Sequence, residues 1–331
     1  MQTVIYWGSF LLLPIFLLAV WLSVRGGGPA TRLATFILAA VLGLGVWARF
    51  IEPYRLLVFE TPVELCGSGL PGTIDMAVVA DFHRGSFANT PSMQRIVRTV
   101  NSLDPDLVLM PGDFTNNLHS ARLKDAFAPF AAIEAPVYAV LGNHDVGYPG
   151  PDYGDDLIKA LEAADITLLN PGEAIFKGEG KYLRLLGYRD YQQATMEGLD
   201  MVPPRSAAPM PTIVIEHNPE AITDPRTGRF DLMVAGHTHG GQVFLPGVTC
   251  RLTFACDILR YGLASTPSGQ LFVTSGVGMT GLPLRFNVPP RVDLLRLQID
   301  RCEKNDTGWM LLPPHGRRIP AEDIGATEIS S

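Results

Sequence analysis

The stretch "VAGHTHGGQV", residues 234–243, sets two histidines one residue apart and follows them with two glycines. The whole chain has only seven histidines. Side chains on an extended backbone alternate, so His237 and His239, just past the apolar run "DLMVA", are expected to point to one side. Two imidazoles presented together at a strand end suggest a metal site.

The same arrangement recurs upstream. "VVADFHRG" carries Asp81 and His83, again two apart, "VLMPGDFTNN" carries Asp113, "AVLGNHDVG" carries Asn143 and His144, and "IVIEHNP" carries His217. Each stands at the end of, or just past, a short apolar run that reads as a strand: 74–80, 106–112, 137–142, 212–217 and 231–236. Between the first of these runs lie helical patterns, "SMQRIVRTVNSL" with an apolar face at Met93, Ile96, Val97, Val100 and Leu103, and "SARLKDAFAPFAAI", interrupted at Pro129. Strands alternating with helices predict an α/β fold with helices on the sheet faces. The later runs, from "KYLRLLGY" to "VDLLRLQI" (292–299), are richer in strands and predict a second sheet packed on the first. In such folds the crevice beyond the carboxyl ends of the strands gathers residues distant in sequence. A mixed carboxylate, imidazole and amide set without thiolates suits Mn, Fe or Zn rather than Ca.

The ordered motifs "DFH", "GDF", "GNHD", "EH" and "GHTH" resemble those of the calcineurin-like metallophosphoesterase superfamily, over roughly 74–299. The resemblance implies a two-sheet β-sandwich flanked by helices and a centre of two divalent metal ions. Matched motif by motif, it implies that Asp81, His83 and His239 hold one ion and Asn143, His217 and His237 the other, with Asp113 bridging. His144 matches the histidine that protonates the leaving oxygen, and a metal-bridging hydroxide would attack phosphorus in line. Asp145 either orients His144 or caps the next turn, and Arg84 either meets charge on the substrate or is an ordinary surface residue. "FVTSGVGMTGLPLRFNVPPR" and "GHTHGGQ" are similar to the membrane-anchored bacterial branch, except that Ser275 stands where its members usually have an arginine.

The N-terminus reads as a membrane anchor. Residues 3–24 carry no charge and have the length a spanning helix needs, while 33–48 form a second uncharged run bracketed by Arg32 and Arg49, which are expected to snorkel to the interfaces. A cleaved export signal would begin with a basic region, which this chain lacks. The expected organisation is a hairpin with its exit segment (1–55), a linker (56–73), a catalytic domain (74–300) and a tail (301–331). Arg25 and Arg32 in the hairpin loop are balanced by Arg49 and Arg55 at the exit, so charge does not choose the topology. Cys66, Cys250, Cys256 and Cys302 fit free thiols or disulfides equally, and none has CxxC spacing.

A net charge of -7 gives no basic footprint for nucleic acid. Two spans without internal ionisable residues do not make a transporter. The expected function is a membrane-anchored dinuclear phosphohydrolase acting on a phosphodiester or pyrophosphate, with a lipid-linked molecule such as UDP-2,3-diacylglucosamine as the specific substrate. That substrate, by analogy, favours the cytoplasmic face of a bacterial membrane. The alternatives are a broad phosphodiesterase on soluble nucleotides or glycerophosphodiesters, and a non-catalytic metal-binding protein of the same fold.

Overall fold

The computed structural model describes residues 2–66, 72–85, 87, 91–178, 180–203, 210–300 and 317–320. After two N-terminal helical stretches, the chain lays down β1 (Leu57–Cys66), β2 (Gly72–Val78), β3 (Leu107–Pro111), β4 (Val137–Val140) and β5 (Ile166–Leu168) of one sheet. It then builds a second sheet from β6 (Gly172–Gly178), β7 (Lys181–Gly187), β8 (Thr212–Ile215), β9 (Leu232–Ala235), β10 (Gly262–Thr266) and β11 (Gly269–Val273). Finally it returns to the first sheet with β12 (Arg291–Asp300) and β13 (Arg317–Pro320). The sheet orders are β13-β1-β12-β2-β3-β4-β5 and β10-β11-β9-β8-β7-β6.

Alternation along each strand explains the layering. Met76 and Val78 of β2 pack with Ile213 and Ile215 of β8 and with Leu232 and Val234 of β9 between the sheets. Ala77, from the other side of β2, joins Ile96, Val100 and Leu157 of the helices Met93–Asn101 and Gly154–Glu162. On the second sheet's outer face, Val214 and Met233 pack against Ala194 of the helix Tyr191–Glu197. β3 is buried throughout, as a central parallel strand covered on both faces must be.

Four expectations change. The presumed linker contains β1, which pairs in parallel with β12 over its full length and belongs to the catalytic sheet. β12 itself lies in the first sheet, antiparallel to β2, rather than in the second. The second apolar helix runs Pro29–Phe50, longer than the uncharged run, because Pro29 at its first turn starts it before Arg32. Arg49 does not snorkel: it is buried against the rings of Tyr6, Phe10 and Phe50 and donates through Nε to Ser9 Oγ at 2.7 Å. The helix at 123–127 gives way to a 3₁₀ turn at 128–132 where Pro129 interrupts it. The tail's "WMLLPP" lies outside the described residues, although β13 pairs with β1.

Two N-terminal helical stretches, Val4–Arg25 and Pro29–Tyr54, are long and apolar enough to cross a membrane, and little of either is buried against the protein. They dock on the catalytic body at one end. Tyr6 stacks on Phe87 at 6.0 Å, Arg95 Nη1 donates to the Tyr54 carbonyl at 2.8 Å, and the Arg285 N–H donates to the Ala48 carbonyl at 2.9 Å.

Candidate metal centre

Five parallel strands end on one rim, and the residues just beyond their carboxyl ends converge there. Asp81 and His83 follow β2, Asp113 follows β3, Asn143 and His144 follow β4, His217 follows β8, and His237 and His239 follow β9. Asp81, His83, Asp113, Asn143, His217 and His239 are buried, and His144 and His237 partly so.

The side chains form two adjoining clusters. His83 Nε2 lies 2.8 Å from His239 Nε2, which is 3.7 Å from Asp81 Oδ1. On the other side His237 Nδ1 lies 3.3 Å from His217 Nε2 and 3.1 Å from Asn143 Oδ1. Asp113 Oδ2 stands between them, 3.4 Å from His83 Nε2 and 3.1 Å from His217 Nε2. The two histidines of the GHTH stretch therefore face different clusters rather than one side. The period-two argument does not hold here, because His237 and His239 lie past β9 with φ of 71° and 50°.

Asp81, His83 and Asp113 also have positive φ, at 57°, 44° and 56°. Residues with a Cβ rarely adopt this conformation, and it costs free energy that the surroundings must supply. Glycines make the necessary room. A Cβ on Gly142 would strike the Asp113 carboxylate, and one on Gly276, whose own φ is 64°, would strike that of Asp81.

Outer partners aim the donor atoms inward. The His217 Nδ1–H donates to the Pro111 carbonyl at 2.7 Å, which turns the Nε2 lone pair toward Asp113. Asn143 Nδ2 donates to the Tyr148 carbonyl, so Oδ1 faces His237. Asp81 Oδ1 accepts the His237 N–H at 3.0 Å, and Asp113 Oδ1 accepts the His144 N–H at 3.0 Å.

In the polypeptide alone, burial pushes His83 and His237 down to about 3 and His239 well below the usual imidazole range, so all three are neutral. Burial also opposes the charged forms of Asp113 and His217, but each favours the other's ionisation strongly enough to hold Asp113 well below and His217 well above their ordinary values. Burial raises Asp81 to about 7, and its Oδ2 is buried without a hydrogen-bond partner. Neutral buried imidazoles with facing nitrogens can share at most one proton between them, and a carboxylate oxygen remains orphaned beside them. A cation answers both deficits, so the donor set fits a metal pair.

Other residues take different places. Asp145 is engaged with backbone groups. Its carboxylate accepts from the N–H groups of Gly142, Phe114 and Thr115 at 3.0, 3.1 and 2.9 Å, tying the loop after β4 to that after β3. Arg84 lines a cavity of about 580 Å³ together with Arg122, Phe87 and Met93, none of whose lining residues belongs to the two clusters. Ser275 is buried, and its carbonyl accepts from Arg285.

Arg285 is the residue the motifs missed. Its fully buried guanidinium donates to the carbonyls of Ser275, Gly276, Gly278 and Val288, and Nη2 lies 3.4 Å from His239 Nδ1. Cys250 and Cys256 form a disulfide beside Gly241, whose missing Cβ would meet Thr249 and Ala255.

Comparison with known proteins follows the same outline. The calcineurin-like phosphoesterase model matches residues 74–241. Phosphodiesterase YaeI of Escherichia coli is 31% identical over 66% of this chain and 80% of its own length. The uncharacterized metallophosphoesterase YkuE of Bacillus subtilis is 27% identical over 80% of this chain and 93% of its own. A Danio rerio transmembrane protein with metallophosphoesterase domain is 28% identical over 80% of this chain and 62% of its own.

Proposed function

The chain belongs to the calcineurin-like phosphoesterase family, and from that membership we propose a membrane-anchored phosphodiesterase in which Asp81, His83, Asp113 and His239 hold one divalent cation and Asp113, Asn143, His217 and His237 a second. The observation that carries this is the position of Asp113 Oδ2, within 3.4 Å of an imidazole nitrogen in each cluster. Mn, Fe or Zn suits these donors. Two such cations, when bound, neutralise phosphate oxygens and acidify a water.

The chain's own residues do the rest. Asp113 joins the two halves, and the outer hydrogen bonds on His217 and Asn143 keep their donor atoms turned inward. His144, whose ring centroid is 4.9 Å from that of His83, stands beside His83 and Asp113 and delivers a proton to the departing oxygen. Arg84 has no part in holding the cations, and its place with Arg122 suits a remote anionic part of the substrate.

The apolar helices favour a lipid-linked phosphodiester or pyrophosphate as substrate. For the side of the membrane, the disulfide Cys250–Cys256 favours an oxidising compartment over the cytoplasmic face expected from substrate analogy. That topology leaves Arg25 and Arg32 of the hairpin loop in the cytoplasm. It weighs against a substrate made and kept in the cytosol.

The test is hydrolysis of bis(p-nitrophenyl) phosphate, a phosphatidyl phosphodiester and UDP-2,3-diacylglucosamine by detergent-purified protein with added Mn²⁺. Cleavage of the lipid diester in preference to the soluble ester supports the lipid reading. Preference for the soluble ester returns the protein to a broad phosphodiesterase.

A further inference from the structure

Among the large apolar side chains exposed outside the hairpin are Leu245 at 43%, Val248 at 43%, Leu252 at 78% and Leu282 at 46%, with Ile258 at 37% lining a hollow beside His237. The first three lie in one short segment, which turns at Gly247, with φ 74°, before its helix begins. Val248 and Thr249 donate to the Leu245 carbonyl, and the turn runs into the helix Thr249–Leu252. The turn is braced rather than frayed: Leu245 N–H donates to Thr249 Oγ1 at 2.8 Å, Thr249 Oγ1 donates to the Val243 carbonyl at 2.8 Å, and the Cys250–Cys256 disulfide closes the segment behind it.

The exposed face is continuous with the foot of the hairpin. Gln242 Nε2 donates to the carbonyls of Thr280 and Leu282, and Phe244 N–H donates to that of Phe286, so the turn is tied to the loop carrying Leu282. The same loop reaches the hairpin through Arg285 N–H to the Ala48 carbonyl and Val288 N–H to Glu52 Oε1 at 2.7 Å. At this level Trp47 and Tyr54 are exposed, and Arg55 lies 5.3 Å over the Trp47 ring. Tryptophan, tyrosine and arginine at a helix end mark the headgroup layer of a bilayer. Arg251, exposed beside Leu252, adds a cation suited to lipid phosphates.

We propose that the turn Leu245–Leu252 and the loop tip at Leu282 dip into the leaflet in which the hairpin ends, so that the metal-ligand clusters open at the bilayer surface and take an amphipathic phosphodiester from that leaflet. The occupant of this apolar face is the lipid surface itself, because the backbone carrying it is hydrogen-bonded to the hairpin foot. The inference rests on reading the hairpin as membrane-spanning and the site as a phosphodiesterase.

Full-length protein in phosphatidylcholine and phosphatidylglycerol nanodiscs, carrying the photoreactive residue p-benzoylphenylalanine at one position at a time, tests the placement. Leu252 and Leu282 are the test positions, Leu38 in the hairpin is the positive control, and Met196, exposed on a helix of the second sheet's outer face, is the negative one. Lipid adducts at 38, 252 and 282 but not 196 are expected. Adducts at 38 with none at 252 or 282 overturn the inference and leave the hairpin intact, while none at 38 overturns the premise with it. The double variant Leu252→Asp/Leu282→Asp supplies an independent readout. Cleavage of a phosphatidyl-p-nitrophenol in vesicles should fall at least ~10-fold, with bis(p-nitrophenyl) phosphate hydrolysis unchanged. Equal loss on both substrates, or loss on neither, overturns the inference. Absence of activity on either substrate in the parent protein rejects the phosphodiesterase reading and not the lipid contact.

Discussion

Asp113 Oδ1 accepts the backbone N–H of His144 at 3.0 Å. One carboxylate oxygen is thereby committed to the neighbouring loop, and the other is left facing an imidazole nitrogen from each cluster. The same hydrogen bond fixes the backbone from which the His144 side chain projects. The proposed cation sites and the proposed proton donor are thus tied to one side chain.

Asp113→Asn preserves shape but sets an amide group against the two imidazole nitrogens or the His144 N–H. Metal content, measured by mass spectrometry on purified protein, should fall from two ions per chain toward none. Phosphodiester hydrolysis should fall ~10³-fold or more, about 4 kcal/mol of transition-state stabilisation. Retention of both ions would show that Asp113 does not bridge them.

His144→Ala should keep both ions and lose rate, by ~10²–10⁴-fold for a diester with a poor leaving group. The loss should shrink with p-nitrophenol as leaving group, which departs without a proton. An equal loss for both leaving groups would argue against proton donation.

Asp145→Ala should act on stability first. It leaves the N–H groups of Gly142, Phe114 and Thr115 without their acceptor, and each unsatisfied buried group costs about 1–3 kcal/mol. A clear fall in Tm is expected in metal-free protein as well as metal-loaded protein. An unchanged Tm with reduced activity would instead assign Asp145 to the orientation of His144.

Arg285→Met removes the guanidinium that four carbonyls share near His239. The ion proposed for Asp81, His83, Asp113 and His239 should weaken before its neighbour, by ~10–100-fold in affinity. Titration of metal-free protein should then show one tight and one weakened site. Two equally tight sites would confine Arg285 to loop structure.

Much of this was legible in the chain, and the exceptions have physical reasons. Asp81, Asp113, Asn143, His217 and His237 could be picked out because each stands just past an apolar run, and parallel strands bring such positions to one rim. Alternation misplaced His237 and His239 because the strand ends at Ala235 and the backbone then turns through positive φ. β1 escaped notice because Pro62 interrupts "LVFETPVELC", and proline inside a run argues against a strand. The fold tolerates it where β13, pairing only with Leu57–Glu60, leaves the outer side of β1 without a described partner. Arg285 had no signature because its partners are backbone carbonyls, which any residue supplies.

The most direct measurement is hydrolysis of bis(p-nitrophenyl) phosphate by purified full-length protein stripped with chelator and titrated with Mn²⁺, beside Asp113→Asn treated identically. A dinuclear centre bridged by Asp113 predicts no hydrolysis without metal, full activity at two equivalents per chain and almost none in the variant at any metal concentration. Hydrolysis that survives stripping, saturates at one equivalent, or proceeds equally fast in Asp113→Asn would contradict it.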